Sequence, residues 1–451
     1  MSVSTNKDYD GWIARSFTTS DKNEDDDHSQ QASSNKNNDK QGQNKNKNKI
    51  PTRLVLHLDI NETILLGDDA GGDSTSDSIQ KMLAKSAFCQ LPTLSDKKLD
   101  WDNTQQVEPT HWWDGQRIGH ETSMPPLYTG WEWPPNTCPY YRTKFKKYSK
   151  EFVSKSTEEE IVSASTGQHP HHGKIYKPIW EECQRLLLST TVDTSSAAQA
   201  SRNRHPHLLP AFYHILEYLQ QQQQQQQQQS TSNNPTTLVF RTFGSDIQEV
   251  AQWVTDFAKE QDCPWLQIGP DQLFQGRWKE SEEQQDGAVI YQLWDLTETH
   301  VVAKDEDEIL KLLNSGTIFG IRDDYNHWKK FHWLPTSGKP VWIPRTPPPA
   351  PPASDKEAEE PPVFCHHLLF DDNIHNLPDD GIACIRQQHS TEDSKFTTVD
   401  ASIMHGGEYQ GIHLKRVPTV EPVLNPNWYI EQIEHSQLLL QEKLNEQLAQ
   451  D

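Results

Sequence analysis

Leu54-Val55-Leu56-His57-Leu58 is a nearly unbroken apolar run that stops at a carboxylate, Asp59, and is followed by the mostly polar Ile60-Asn61-Glu62-Thr63. A strand that is apolar throughout, rather than at alternate positions, is buried on both faces, as in the middle of a parallel sheet. In such sheets ligands bind beyond the carboxyl ends of the strands. Asp59 therefore stands where chemistry is done. The expected fold is α/β, a Rossmann-like parallel sheet flanked by helices.

Later segments repeat the pattern. Leu238-Val239-Phe240-Arg241 ends at Thr242, and the turn Phe243-Gly244-Ser245-Asp246 offers Ser245 or Asp246 as the cap of a helix over 247–259. That helix carries Val250, Trp253, Val254 and Phe257 on one face. His366-His367-Leu368-Leu369-Phe370 ends at Asp371-Asp372-Asn373. Further strands are expected over 288–293 and 317–321, with a last core strand over 381–386. A helix over 209–219 has Pro210 in its first turn. An amphipathic helix over 428–448 sets Ile430, Ile433, Leu440, Leu444 and Leu448 broadly on one side.

Only 33% of the 451 residues are hydrophobic, which argues for one α/β domain with a large insertion rather than two or three domains. The expected core spans 51–69 and 206–451, with disordered loops at 220–236 and 346–362. Residues 70–205 are rich in Trp, Tyr and Pro, show no strand–helix alternation, include charged helical stretches around 144–152, and read as an inserted, cap-like region with a flexible loop at 189–203. Residues 1–50 have too few apolar side chains to offset their ordering entropy and are expected to be a disordered tail.

A net charge of −23 repels a phosphate backbone, so no nucleic-acid partner is expected. The basic stretch 41–49 reads as a solvated linker. No apolar run approaches the ~20 residues of a membrane span, and the N-terminus lacks a signal-like apolar segment. The six cysteines form no CxxC pair. The expectation is a cytoplasmic protein without a membrane partner.

Together the strand ends offer Asp59, Thr242 and Asp371-Asp372. Carboxylates on one sheet edge form a hard-oxygen site for Mg²⁺, and a nearby hydroxyl and lysine bind phosphate. The order of these elements resembles the haloacid-dehalogenase-like hydrolase superfamily. Its first motif is an apolar strand ending in a nucleophilic Asp, here Asp59-Ile60-Asn61-Glu62-Thr63. Its second is a strand ending in Thr or Ser, matched by Thr242, with Ser245 as second choice. Its third is a Lys ahead of the last motif, matched by Lys339 in Gly338-Lys339-Pro340. Its fourth is an acidic pair after a strand, matched by Asp371-Asp372.

The resemblance implies an aspartyl-phosphate at Asp59. It implies Mg²⁺ held by Asp59, the backbone carbonyl of Asn61, and Asp371 or Asp372, with Thr242 and Lys339 on the phosphoryl oxygens. The substrate would be a small phosphorylated compound or a phosphoprotein. One position departs from the pattern: family phosphatases have Asp two residues after the nucleophile, and this chain has Asn61. Asn cannot exchange a proton at neutral pH, and general acid–base help is worth on the order of 10²–10⁴-fold. The alternative is therefore a catalytically weakened protein with a binding or regulatory role, unless Glu62 or a residue of the insertion substitutes.

Competing assignments exist. Lys329 and Lys330 are alternatives to Lys339. Asp323-Asp324 also follows an apolar run and reads as helix capping rather than the metal motif. His169, His171, His172, His205 and His207 lack the spacing of a zinc site and read as loop residues. The Trp-rich segment 111–133 reads as a small core in the insertion rather than a platform for a ring-bearing substrate.

Overall fold

In a computed structural model of the chain, residues 52–66, 73–91, 107–154, 171–192, 205, 207–228, 236–280, 289–315, 317–345, 363–377, 379–388, 396–404 and 406–448 are described. The expected tail at 1–50, the Pro-rich loop at 346–362, His169 and residues 193–203 lie outside them.

The strands in chain order are β1 (Thr52–Asp59), β2 (Phe88–Gln90), β3 (Thr137–Pro139), β4 (Thr237–Thr242), β5 (Leu273–Glu280), β6 (Val289–Asp295) and β7 (Val301–Ala303). They continue with β8 (Ile318–Arg322), β9 (Lys339–Ile343), β10 (Phe364–Asp371), β11 (Ala383–Gln388), β12 (Phe396–Thr398) and β13 (Leu414–Arg416). Helices are α1 (Thr75–Ser86), α2 (Lys177–Val192), α3 (Pro210–Gln228), α4 (Ile247–Glu260), α5 (Glu306–Leu313), α6 (Tyr325–Lys330), α7 (Ala401–Met404), α8 (Glu421–Leu424) and α9 (Trp428–Leu448).

Eight strands form one mixed sheet in the order β13-β10-β1-β4-β8-β5-β6-β7. From β13 to β5 every pairing is parallel, and β6 and β7 close that edge as antiparallel strands. β1 is central, with Leu54, Leu56 and Leu58 in one apolar cluster and Val55 in another on the opposite face. The first cluster holds Phe212 of α3, Val250, Val254 and Phe257 of α4, and Trp428, Tyr429 and Ile433 of α9. The second holds Ile309 and Leu313 of α5 and the small sheet β12-β11-β9. The main sheet thus has helices on one face, and α5 with a second sheet on the other.

Several expectations change here. The strand over 381–386 pairs with β9 and β12 instead of the main sheet, whose last strand is β13. α3 continues through the glutamine run to Gln228, and α2 reaches Val192, into the expected loops. The charged segment near 144–152 is helical as expected, as a 3-10 helix over Lys146–Glu151. On α9, Ile433, Leu440 and Leu444 are buried as expected, joined by Trp428, Tyr429 and Ser436.

The insertion shares its core with the sheet. Ile79, Met82 and Leu83 of α1 lie in one cluster with Trp112, Tyr140, Phe152, Leu58 and Phe240. α1 starts with a capping box: Ser74 accepts from Asp77 N, and Asp77 accepts from Ser74 N. Gln80 Oε1 accepts from Val153 N and Ser154 N at 2.8 and 3.1 Å, fixing the helix to the rest of the insertion. No helix among the described residues is long and apolar enough to cross a membrane.

Candidate functional site

The chain leaves β1 for β4 on one side, while β10 and β13 lie on the other, so the order of strands reverses between β1 and β10. The crevice beyond the carboxyl ends at such a switch point is where open α/β sheets bind ligands. Asp59 ends β1 and Asp371 ends β10. The two apolar strands therefore bring two carboxylates to one edge, and Asp372 adds a third. Oxygens of Asp59, Asp371 and Asp372, all buried, lie within 4.8 Å of one another, and no other such His, Cys, Asp or Glu group occurs among the described residues.

After Asp59 the chain turns sharply. Ile60 O accepts from Ile64 N at 3.0 Å and Leu65 N at 2.9 Å, with Glu62 in the left-handed region at φ 58°. The turn returns Thr63, whose Oγ1 donates to Asp59 Oδ2 at 3.4 Å. Asp371 Oδ1 accepts from Asn373 N at 2.9 Å.

Lys339 joins the two strand ends. Its Nζ donates to Asp59 Oδ1 and, at 2.7 Å, to Asp371 Oδ2, and the residue is 1% exposed. The Gly338-Lys339 pair has a physical reason. A Cβ on Gly338 would stand 2.2 Å from Ile382 O, and Lys339 N donates to that same oxygen at 2.6 Å. Only glycine lets β9 start so close to β11. Arg241 then ties β9 to the main sheet by donating to Pro340 O at 3.0 Å. The alternatives Lys329 and Lys330 lie exposed on α6.

The charges explain how the site is poised. Burial, then the Asp371 charge, push the Asp59 carboxyl well above the usual carboxylate range against the pull of Lys339. Burial also raises Asp372, to about 6, opposed by Lys85 and reinforced by Glu62 and Asp371. Burial works against the Lys339 ammonium, but Asp371 and Asp59 more than offset it and hold it charged. Around this lysine, negative charge is in excess. A hard divalent cation fits that excess and the all-oxygen donor set. Asn61 Oδ1, buried without a hydrogen-bond partner among the described residues, is a further oxygen awaiting a donor or a metal-bound water.

The other expected residues divide. Thr242 lies buried at the end of β4, one position beyond the Asp59–Arg241 register pair. Its Oγ1 accepts from Gly244 N at 2.8 Å, so the hydroxyl shapes the turn and keeps its own proton for a ligand. Asp246 makes no cap bond to α4, contrary to expectation; its Oδ2 accepts from Asn61 Nδ2 at 2.9 Å. Glu62, a candidate substitute acid, is paired with Lys85 and lies 3.7 Å from Lys81. Asp324 caps α6 by accepting from His327 N, but Asp323 does not: it pairs with the buried Arg241. His171 and His172 bond to Glu151 O and Tyr140 Oη, and His205 stacks on Trp253. Trp133 is buried in a small cluster with Phe88 and Leu91, as expected, whereas Trp112 belongs to the main core.

Lys85 is the main residue that sequence reasoning missed. It sits in the last turn of α1 and donates to Asp372 Oδ2 at 3.0 Å as well as pairing with Glu62. Lys81, four residues earlier, bonds Asp73 at 2.9 Å. The i, i+4 spacing of two lysines was visible, but nothing local says which carboxylates that helix face will meet. Comparison with protein-family models, curated proteins and solved structures finds no match for this chain.

Proposed function

We propose that the chain is a haloacid-dehalogenase-like, Mg²⁺-dependent hydrolase acting on a phosphorylated compound. The observation that carries the reading is the buried juxtaposition of Asp59, Asp371, Asp372 and Lys339 at the switch point of the sheet. Asp59, Asp371 and Asp372 would hold the cation, with the Asn61 backbone carbonyl as a further oxygen. When bound, the cation supplies neutralisation of phosphoryl charge that the carboxylates would otherwise repel.

The chain's own groups do the rest. Lys339 favours the ionised form of Asp59 against burial, as the bound cation would too, and with the Thr242 hydroxyl receives the phosphoryl oxygens. An Asp59 carboxylate oxygen attacks phosphorus, the bond from phosphorus to the leaving oxygen breaks, and the leaving oxygen takes a proton from water. A second water then attacks phosphorus, releasing phosphate and restoring the Asp59 carboxylate. Asn61 moves no proton in either half. Leaving groups that depart without protonation, such as aryl or acyl oxygens, are therefore the favoured substrates. A screen of small phosphorylated compounds with and without Mg²⁺ tests the reading. Asp59→Asn is expected to abolish turnover, and full activity in that variant would sink the proposal.

A second reading is favoured by one contact. The Asn61 amide donates to Asp246 instead of facing the nucleophile with a titratable group. A protein that holds a phosphoryl ligand and turns it over weakly follows from this. Asn61→Asp alone would set two carboxylates against each other, so the informative change is Asn61→Asp with Asp246→Asn, which keeps the hydrogen bond. A gain in kcat on the order of 10²-fold supports the weakened reading. An unchanged kcat supports a hydrolase that needs no acid at this position.

A further inference from the structure

We propose that the insertion and β13 build a second anion subsite beside the acid cluster, so that the ligand carries a second phosphate or carboxylate besides the phosphoryl group at Asp59. This rests on the phosphohydrolase reading and narrows its substrate class.

The chain carries a net charge of −23, yet four cations gather here. Lys85 and Lys146 both lie over the ring of Tyr141, at 5.3 and 5.1 Å from its centroid. Lys85 is committed to Asp372 and Glu62, but Lys146 is exposed and has no ion-pair partner among the described residues. Arg142, paired with Asp380, lies within electrostatic reach of both Lys146 and Arg416.

Arg416 is the centre of the subsite. It stands in register with Asp371 across the β10–β13 pairing, so its strand borders the acid pair directly. It is 9% exposed, and among the described residues its guanidinium donates to one acceptor, Gly130 O. A guanidinium has five N–H donors in a planar fork that matches phosphate or carboxylate. The other N–H groups have no protein acceptor among the described residues and are not sealed from solvent, so a ligand that enters can accept from them. Burial lowers the Arg416 pKa to about 10, opposed by Asp372, so the group stays charged at neutral pH.

Room for the rest of the ligand lies near two of these cations, for Tyr128 is within electrostatic reach of Arg416 and the Arg142 guanidinium lies over the Trp133 ring. A cavity of about 520 Å³ is lined by Tyr128 and Trp133 of the insertion and by Asn376 and Leu377, from the loop that follows Asp371-Asp372. That volume is in the range of small-molecule sites.

Calorimetry on the full chain at saturating Mg²⁺ tests this with three probes: methylphosphonate, methylenediphosphonate and phosphonoacetate. The two probes with a second anionic group are expected to bind on the order of 10-fold tighter than methylphosphonate, and their ranking tells whether phosphate or carboxylate fills the subsite. Because such probes also chelate Mg²⁺, the decisive quantity is the change between wild type and Lys146→Glu at one Mg²⁺ concentration. Lys146→Glu, at an exposed position, is expected to remove most of the advantage, read as the ratio of each larger probe's Kd to that of methylphosphonate in the same variant. Arg416→Lys, which keeps the charge but loses the fork, is expected to do the same. Equal binding of the three probes overturns the subsite, as does an advantage that survives both variants. If methylphosphonate binds and the second group adds nothing, the subsite alone falls. If none of the three binds, the phosphohydrolase reading falls with it.

Discussion

Two strands in the parallel part of the main sheet, β8 and β10, run into an Asp-Asp pair at the same edge, and the pairs do opposite work. Asp323 accepts from Arg241 Nε at 2.9 Å, from its second terminal nitrogen, and from Tyr291 Oη at 2.7 Å. Asp324 caps α6 and accepts from Trp278 N at 3.2 Å. Every charge there has a fixed, directional partner. At β10 the acids outnumber the cations: Asp371 shares Lys339 with Asp59, and Asp372 shares Lys85 with Glu62. Both pairs are buried, so burial alone does not mark a site. The mark is charge left uncompensated at a place where strand order reverses.

The largest expected effect falls on the satisfied pair. Asp323→Ala leaves the Arg241 guanidinium buried without its carboxylate, a loss of about 3–5 kcal/mol. Denaturant unfolding of this variant against wild type checks it. A change under about 1 kcal/mol would erase the distinction, because Arg241 would then need no counter-ion. Next in size is protection by a divalent cation. Mg²⁺ at about 100 times its dissociation constant should stabilise the fold by about 2.7 kcal/mol, read as a rise in Tm. Asp371→Asn should lose that rise. Asp324→Asn should keep it, since Asn caps a helix as well as Asp does. Equal protection of both variants would break the comparison.

The strand ends were readable because an apolar run with no alternation has one comfortable place, between two packed faces, and a carboxylate at its end must lie at the sheet's edge. The pairing of edges was not readable. Ile382-Ala383-Cys384-Ile385 looks more like a core strand than Leu414-Lys415-Arg416, yet β11 joins β9, where Gly338 lets the two backbones meet, and β13 takes the place beside β10. That choice depends on contacts far apart in the chain. It hid Arg416, and the docking of α1 hid Lys85 in the same way. Lys339 was named from the resemblance, as the Lys ahead of the last motif, and its setting in Gly338-Lys339-Pro340 rests on the close approach at Ile382 and not on anything in the lysine. Asp323 was misassigned as a cap because its partner, Arg241, lies mid-pattern in an apolar strand, where a charge gives no hint of what it will pair with.

The smallest effect is the most discriminating. The Asp372 carboxyl is pushed up to about 6 by burial and by the charges of Glu62 and Asp371, although Lys85 opposes the rise. A folded-state pKa above the unfolded one means that the folded state binds the proton more tightly. The stability this contributes is fully present below about pH 4 and is lost as pH rises through about 6. At neutral pH the ionised Asp372 therefore works against folding of the metal-free protein. Asp372→Asn removes that charge, and because the raised pKa already includes the Lys85 attraction, the variant should be more stable at pH 7, by on the order of 1 kcal/mol. The advantage should shrink as pH falls from 7 to 4, because the wild-type carboxyl becomes neutral in the same window. Unfolding curves of both proteins in chelator across that range decide it. A variant less stable than wild type at pH 7 would mean that Lys85 satisfies Asp372 as fully as Arg241 satisfies Asp323, and the two acid pairs would then be alike.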